Sequence, residues 1–212
     1  SSSYTTPAMS IAGSGVEYSV VISNSAGSVT SRSATLTVTS SSSAPSYGLV
    51  VNTSGGTHEI TDCIQDSSTG LFWEGKTDSG ARAASNAYTN YDSTVSAQKT
   101  DGSNPTQAEI DAETNSIGYV NYVNRIALCG FTDWRMPSIA EIKGIVDKSQ
   151  LAEEAIKIDS TWFPHSQTLF VWTSTPDDYA ANAIGFDFAD GENGYYRSRY
   201  QPYPVRLVRG SQ

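Results

Sequence analysis

The segment from Thr175 to Tyr203 concentrates the side chains that are best suited to bind a ligand. Its acidic, tyrosine and arginine side chains follow one another at short intervals: Asp177, Asp178, Tyr179, Tyr195, Tyr196, Arg197, Arg199 and Tyr200. Sugars stack the C–H faces of their rings on aromatic side chains, and their hydroxyls pair with Asp, Asn and Arg. We therefore predict that these residues bind a ligand. The alternative is a twisted edge hairpin whose tyrosines cover the core and whose arginines pair with neighbouring acids.

Oxygen-bearing side chains in the same segment could also hold a cation. Asp187, Asp190, Glu192 and Asn193 offer the carboxylate and amide oxygens that calcium prefers, although their spacing is not that of an EF-hand loop. Calcium is therefore a candidate cofactor at these residues, and no cofactor is required with certainty.

The chain lacks a recognisable set of catalytic residues. Its only imidazoles, His58 and His165, have no partner motif nearby, so each is interpreted as a surface or packing residue. Adjacent acids such as Asp177 and Asp178 point to different sides of a regular element, whereas a glycosidase needs two carboxyls that face each other across the substrate. We therefore predict no catalytic residue and a protein that is not an enzyme.

A corner motif between Gly130 and Ile142 predicts one of the elements that must position the binding segment. Gly130 can end a helix, and a short extended segment is expected to end at Pro137. Ser138, followed three residues later by Glu141, forms a capping box that opens a new helix. The motif therefore predicts a helix, a tight corner and a second helix.

Two large side chains inside this corner, Trp134 and Arg135, have a structural and a binding interpretation. In the structural one, the indole of Trp134 is buried and the guanidinium is stacked on it or held by Asp133. We expect this structural role, which makes the corner rigid, over a binding role for the two residues.

Four sequence blocks spread along the chain resemble one known family. They are Thr69-Gly70-Leu71-Phe72-Trp73, a block from Cys129 to Pro137 with Met136 in place of the usual Leu, Trp172-Thr173-Ser174-Thr175, and Val205-Arg206-Leu207-Val208-Arg209-Gly210. In this order and spacing they resemble the Lcl C-terminal domain family, which occurs at the ends of bacterial collagen-like adhesins and in other exported proteins. The resemblance covers about residues 47 to 212.

The resemblance implies a fold, a location and a kind of partner. It implies a C-type lectin-like fold, an extracellular or cell-surface location, adhesion to glycosaminoglycans and frequent assembly as a homo-trimer. The family has no fixed functional motif, so no site residue is carried over from it. In an exported chain, Cys63 and Cys129 are expected to form a disulfide, because neither belongs to a Cys-x-x-Cys pair. Buried free thiols and a catalytic thiol are the alternatives.

Composition excludes several classes of partner. The net charge of −9 and the pI near 4.6 argue against nucleic acid, which needs clustered Lys and Arg. The same acidity opposes direct binding of sulfated polysaccharides unless basic residues gather on one face. No run of apolar residues is long enough to predict membrane insertion, and the first residues do not form a signal peptide.

Composition shifts divide the chain into three parts. Residues 1–39 resemble the C-terminal part of a bacterial immunoglobulin-like repeat, with predicted strands at 16–22 and 33–38 around a turn at 23–28. A complete sandwich needs seven strands, so we expect the chain to begin inside that domain. Residues 40–46 are a Ser-rich linker, and residues 47–212 are the Lcl C-terminal-like domain.

The second domain is predicted to be α+β with a mainly antiparallel sheet. Apolar and β-branched runs predict strands at 48–51, 58–64, 71–74, 169–174, 183–188 and 205–208. Helical periodicity predicts two helices, at 106–128 and 138–147, whose apolar stripes are interpreted as core. Residues 75–106 lose periodicity and are interpreted as a long surface excursion with one short helical turn near 81–88. The fold class is therefore C-type lectin-like, preceded by a partial β-sandwich remnant.

Together these observations predict an extracellular, non-catalytic adhesion domain. It would recognise a glycan or another host or environmental surface polymer. The first rival is a structural or oligomerising cap of a bacterial surface stalk, and the second, weaker rival is an enzyme of unrecognised mechanism. The same residues suit a glycan or a protein ligand, such as a host receptor.

Overall fold

The computed structural model describes residues 16–35, 46–147, 156–166, 170–191 and 194–210. The chain divides into two compact units, Ser1–Ser43 and Ala44–Gln212. Most of the predicted linker 40–46 lies outside the described residues, as do residues 36–38 of a predicted strand.

The described part of the first unit consists of short antiparallel strand pairs. Its strands are β1 (Glu17–Tyr18), β2 (Val21–Asn24), β3 (Gly27–Thr30) and β4 (Ala34–Thr35). β2 pairs with β3, and β1 pairs with β4. The predicted strand 16–22 is therefore interrupted between β1 and β2, and the strand that pairs with β2 begins at Gly27, before the predicted start at residue 33. The tight turn at residues 25–26 falls within the predicted turn, and Asn24 stabilises it by accepting a hydrogen bond from the backbone N–H of Ala26.

A four-stranded antiparallel sheet forms one half of the second unit. Its strands in spatial order are β11 (Val208–Arg209), β7 (Phe72–Glu74), β6 (Cys63–Asp66) and β5 (Tyr47–Leu49). The last strand of the chain therefore pairs with β7, the strand of the first sequence block, with Val208 opposite Trp73. The predicted strand 58–64 is mostly wrong, because residues 58–62 form turns and bends before β6 begins.

A three-stranded antiparallel sheet forms the other half. It contains β8 (Phe170–Pro176), β9 (Asn182–Asp187) and β10 (Gly194–Ser198), in the order β10-β9-β8. The register shifts between Trp172 and Pro176, as at a β-bulge, and Pro176 is again paired with Ala183 of β9. Gly185 lies opposite Trp172, and a Cβ atom there would stand 2.2 Å from the ring of Phe170.

Three short α-helices follow β7 and precede β8 along the chain. They are α1 (Gln107–Asp111), α2 (Ser116–Arg125) and α3 (Ile139–Gly144). Thr106 and Glu109 form a capping box at α1, and Ser138 and Glu141 form the predicted one at α3.

The predicted single helix 106–128 is wrong because the chain breaks between α1 and α2. The side chain of Asn115 donates to Ile110 O and to Tyr91 O and accepts from Tyr91 N, which fixes a non-helical connection. A Cβ atom at Gly118 would stand 2.0 Å from Ala112 O, so only glycine allows α2 to approach this connection.

Two apolar clusters form the core of the second unit. Trp134 and Trp172 belong to the first, together with Tyr119, Val123 and Leu207. The second contains Trp73, Ile142, Phe163, Phe186 and Val208. The predicted core stripes of α2 and α3 supply Val123 and Ile142, so both helices pack as amphipathic elements.

A buried polar network crosses this core. Glu74 is 0 % exposed, and its Oε1 accepts hydrogen bonds from Lys76 Nζ at 3.0 Å and from Tyr119 Oη. Its Oε2 accepts from the backbone N–H of Leu207, and Arg206 Nη1 donates to the backbone oxygen of Glu74. Burial lowers the pKa of Lys76 to about 8, although Glu74 acts in the opposite direction.

The second unit is thus a mixed α and β domain with small antiparallel sheets and few helices. Residues 75–106 form no helix, and the predicted surface excursion is wrong in part, because Ala84, Tyr88, Asn90 and Gln98 are buried. Turns and bridges place these side chains against the sheets and α2. The segment is therefore an irregular but integral part of the domain.

Candidate functional site

The disulfide ties the first sheet to the end of the helical region. Cys63 in β6 is bonded to Cys129, with their Cα atoms 6.5 Å apart, as expected from the sequence. Cys129 lies in a short 3₁₀ turn (Leu128–Gly130) and has a φ of +55°, a conformation that non-glycine residues rarely adopt. The bond therefore connects two elements that are 66 residues apart in the chain.

The corner after this turn is held by Asn124 of α2. Its side-chain amide donates to Trp134 O at 2.9 Å, and its side-chain oxygen accepts from Trp134 N at 2.7 Å. The Trp134 indole is 2 % exposed and donates to Leu128 O. The indole is therefore buried as predicted, and hydrogen bonds to both the backbone and the side chain of Trp134 hold the corner rigid.

The predicted partners of Arg135 are wrong. Its guanidinium makes two hydrogen bonds to the Glu141 carboxylate, at 2.9 and 2.6 Å, and neither stacks on Trp134 nor pairs with Asp133. Asp133 instead pairs with Arg209, at 2.8 and 2.9 Å. Burial raises the pKa of Glu141, but the hydrogen bonds from Arg135 and Ser138 outweigh it and lower the pKa.

A cleft of about 340 Å³ opens beside this corner. Its walls come from the irregular segment at 90–95, from α2, from the corner, from the end of β8 and from β9. Ile117, Val120, Met136 and Ala183 supply much of the apolar lining. The volume lies near the lower end of the roughly 300–1,000 Å³ that small-molecule sites occupy.

The carboxylate of Asp177, at the end of β8, lines this cleft without a protein partner. Its Oδ2 is shielded from solvent and receives no hydrogen bond. Within the described residues, the other oxygen also receives none, and no cation lies within ion-pair distance of either. An unsatisfied buried carboxylate oxygen is unfavourable, so the site is suited to a ligand that brings a hydrogen-bond donor.

The guanidinium of Arg199 forms a second polar group of the cleft. Arg199 is 8 % exposed, and its Nε and Nη1 donate to Ala180 O and Asn90 O at 3.0 and 2.8 Å. Burial lowers the pKa of Arg199, while the nearby carboxylates of Asp92 and Asp177 act in the opposite direction. The described residues provide no acceptor for its third nitrogen, Nη2, whose N–H groups can therefore donate to a ligand.

Asp92 completes the charged lining. Its Oδ1 accepts hydrogen bonds from Thr94 N and Thr94 Oγ1, both at 2.7 Å. Burial raises the pKa of Asp92, but the hydrogen bonds from Thr94 outweigh it and lower the pKa. Arg135 also lines the cleft, but Glu141 neutralises it, so Asp92 and Asp177 outnumber the single charge of Arg199.

The structure separates the predicted ligand-binding residues into two groups. Asp177 and Arg199 line the cleft. The others lie outside its lining, with Asp178, Tyr179, Tyr195, Tyr196 and Tyr200 exposed and Arg197 half-buried.

The exposed group does not follow the edge-hairpin alternative completely. That alternative concerned Tyr195 to Tyr203, where Tyr196 is 68 % exposed and does not cover the core, whereas Tyr203 packs against it. Arg197 lies over the ring of Phe170, 4.9 Å from its centroid, and therefore does pack on the sheet. We call Tyr179, Tyr195, Tyr196 and Tyr200 the tyrosine surface.

The predicted calcium ligands are only partly described. Asp187 accepts a hydrogen bond from Ala189 N, and Asp190 accepts one from Tyr195 Oη. Glu192 and Asn193 lie outside the described residues. Across the described part of the chain, no three or more His, Cys, Asp and Glu side chains come together as a metal site.

The two histidines lie away from the cleft lining. His165 Nδ1 is 3.7 Å from Asp78 Oδ1, and both side chains are at least one-third exposed. His58 donates its backbone N–H to Val50 O. Neither histidine is paired with the carboxylates of the cleft.

Sequence reasoning missed several residues of the cleft. Asn90 and Asp92 belong to the segment that was interpreted as surface, and Ile117 and Val120 to a stripe interpreted entirely as core. The two acids at 177 and 178 gave a signal, but only the fold shows that Asp177 alone faces the cleft lining. Asp92 followed by Thr94 is a local turn pattern that carries no ligand signal of its own.

The architecture is a mixed α and β domain with one ligand-sized cleft described beside its tryptophan corner. The family model of the Lcl C-terminal domain matches residues 62–209, so the chain belongs to the Lcl C-terminal domain family. No curated protein and no solved structure matches. None of the helices in the described ranges has the length and apolar character needed to traverse a bilayer.

Proposed function

We propose that this chain is a non-catalytic, extracellular adhesion domain that holds a glycan or another surface polymer in the cleft at Asp177 and Arg199. The observation that carries the proposal is the Asp177 carboxylate, which lines a ligand-sized cleft and has no protein donor. A binding site needs such an unsatisfied group, whereas a purely structural carboxylate is normally paired.

The lining supports binding in preference to catalysis. The cleft brings together carboxylates, a guanidinium and aliphatic side chains, and no histidine or cysteine lines it. Its two carboxylates differ in environment, but Asp92 is held ionised by Thr94 and is not poised as an acid. The arrangement is that of a recognition site.

The tyrosine surface extends the proposal to a polymer. Tyr200 directly follows Arg199, and Tyr179 lies two residues after Asp177, so exposed rings adjoin cleft residues along the chain. Such rings can stack further sugar units outside the cleft. The cleft would then select one unit, and the surface would add affinity along the chain of the polymer.

The finer structural assignments are part of this proposal. We propose a C-type lectin-like fold for the second unit, supported by its antiparallel sheets, flanking helices and family membership. We propose that the first unit is the end of an immunoglobulin-like repeat, supported by its antiparallel strand pairs. The disulfide supports an oxidising, extracellular location.

Retention on immobilised polysaccharides tests the proposed function. The full chain is passed over mannan, dextran, arabinogalactan and heparin surfaces, and we expect retention above background on at least one. Asp177→Asn should weaken that retention by about 10-fold or more, because a hydrogen bond to a charged group is worth about 1.5–3 kcal/mol. A stable trimer that none of the surfaces retains would contradict the proposal and favour the oligomerising cap.

A further inference from the structure

We propose that the cleft selects an uncharged sugar through two adjacent hydroxyls, one donating to the Asp177 carboxylate and the other accepting from Arg199 Nη2. The inference rests on the proposed function and names the ligand class of the same site. It differs from the resemblance-based expectation, which is an anionic glycosaminoglycan.

The first step is that Asp177 Oδ2 is buried without a protein donor and that Arg199 Nη2 has no acceptor among the described residues. By contrast, Asp92 Oδ1 accepts two hydrogen bonds from Thr94, and the side-chain oxygen of Asn90 accepts from Ser116 Oγ at 2.6 Å. Thr173 Oγ1 donates to Ile184 O at 2.7 Å. A ligand therefore gains most by engaging Asp177 and Arg199, because their remaining hydrogen-bonding capacity has no protein partner.

The second step is that the two open groups have opposite charge and are close without touching. Asp177 is near enough to Arg199 to act on its pKa, yet the two side chains make no ion pair within 4.0 Å. Because both line the same cleft, a ligand that donates on one side and accepts on the other can engage both. A pair of adjacent hydroxyls does both, because each hydroxyl is a donor and an acceptor.

The third step is that a charged ligand group fits only one of the two. A sulfate or carboxylate would accept from Arg199 but would be repelled by Asp177 and Asp92. An ammonium would pair with Asp177 but would be repelled by Arg199. The overall charge of −9 adds a long-range repulsion of polyanions. Electrostatics therefore favours a neutral diol over both ionic classes.

The fourth step is that the apolar wall suits a sugar ring. Ile117 and Val120, one helical turn apart on α2, line the cleft together with Met136 of the corner. A sugar that directs two hydroxyls to the polar groups still presents C–H bonds, which aliphatic side chains can cover. The wall therefore complements the part of the ring that the diol does not use.

A set of polysaccharides that differ in adjacent hydroxyls tests the inference on the full chain. Dextran and mannan carry adjacent free hydroxyls, internal glucose residues of laminarin do not, and heparin is a polyanion. We expect retention on dextran, mannan or arabinogalactan, at least 10-fold weaker retention on laminarin and none on heparin. Periodate oxidation followed by borohydride reduction of the retained polymer cleaves its diols and should abolish retention.

Matched variants assign the effect to the cleft. Asp177→Asn should weaken retention of the neutral polymer at least 10-fold, while Asp178→Asn makes the same change of charge at an exposed neighbour outside the lining and should stay within twofold. Urea unfolding of both variants confirms that they are folded. Retention in 0.5 M salt, on the order used to screen surface charges, should be unchanged for a neutral ligand.

The outcomes separate the inference from the proposed function. Retention on heparin that Asp177→Asn strengthens, or retention on a polymer that survives periodate, would overturn the diol inference and leave a binding domain. Equal loss in Asp177→Asn and Asp178→Asn would also overturn it, because the cleft would not be the site. Absence of retention on every surface would overturn the proposed function as well.

Discussion

The buried network around Glu74 and the cleft around Asp177 use the same kinds of side chain in opposite ways. In the network, both oxygens of Glu74 accept hydrogen bonds, from Lys76, from Tyr119 and from the backbone of Leu207. In the cleft, the Asp177 carboxylate receives no protein hydrogen bond. One site is closed and complete, whereas the other is open and lacks a partner.

The contrast separates a structural role from a binding role without reference to residue type. A satisfied buried network fixes the packing of the elements that meet in it, here β7 and α2. An unsatisfied carboxylate is unfavourable until a ligand supplies a hydrogen-bond donor, which is the arrangement expected of a binding residue.

Removal of the disulfide should produce the largest loss of stability on the network side. Cys63 lies opposite Glu74 in the β6–β7 ladder, so the bond supports the strand that carries the network. The double variant Cys63→Ala, Cys129→Ala should lose roughly 4 kcal/mol of unfolding free energy, measured with urea, because the bond closes a long loop. Reductant should destabilise the wild type and leave the variant unchanged. A loss below about 1 kcal/mol would contradict this.

Removal of the network's carboxylate should also destabilise strongly. Glu74→Gln leaves Lys76 and Arg206 as buried cations without a compensating charge, so the unfolding free energy should fall by roughly 3 kcal/mol. Glu113→Gln is the control, since Glu113 pairs with Arg125 at the surface and should lose less than about 1 kcal/mol. Equal effects of the two substitutions would remove the distinction between buried and exposed pairs.

The protonation of Lys76 should make the network's stability depend on pH. Its pKa is about 8 in the folded chain and about 10.4 when unfolded, so between these values the unfolded state binds more protons. The unfolding free energy of the wild type should therefore rise with pH relative to Lys76→Met, by at most about 1.4 kcal/mol per pH unit. Urea titrations of both proteins at pH 8, 9 and 10 measure this difference. A difference that is flat or falls with pH would contradict the sign.

On the cleft side, a change that weakens binding should not reduce stability. Asp177→Asn removes an unpaired carboxylate, so the unfolding free energy should stay the same or increase by up to about 1 kcal/mol. Asp178→Asn should change it by less than about 0.5 kcal/mol, as surface substitutions generally do. A loss of more than about 2 kcal/mol in Asp177→Asn would give this carboxylate a structural role like that of Glu74.

The smallest effect is expected where charges pair at the surface. Asp133 accepts two hydrogen bonds from Arg209, which lower its pKa, but its side chain is largely exposed. Asp133→Asn should therefore lose less than about 1 kcal/mol at neutral pH. The Asp133–Arg209 pair should contribute less to the unfolding free energy at pH 3. The stabilisation by the ionised aspartate is lost as the pH falls through its lowered folded pKa. Urea unfolding at both pH values checks this, and an equal loss at both would contradict it.

Local signals predicted much of the fold. The capping residues Ser138 and Glu141 define the start of α3, and the apolar runs define β7, β8 and β9 within a few residues. These elements depend on neighbouring residues, whose patterns are visible in the sequence. The buried indole of Trp134 followed from the same local reasoning.

Elements fixed by distant contacts could not be predicted. The break between α1 and α2 depends on Asn115 bonding to Tyr91 and on the close approach at Gly118, neither of which a helical period shows. Asp133 and Glu141 both lie close to Arg135 in the sequence. Only the structure shows that the first turn of α3 brings Glu141 to Arg135. The cleft combines six separate stretches of chain, so its lining is a property of tertiary structure.

The helix α2 has a consequence for how this domain can diversify. It directs Tyr119 and Val123 into the core, while Ile117 and Val120 line the cleft. Positions that determine folding and positions that contact a ligand therefore alternate along one short helix. Substitution of Ile117 or Val120 can alter ligand preference while Tyr119 and Val123 keep the framework intact. Related domains can therefore acquire new preferences without a new fold.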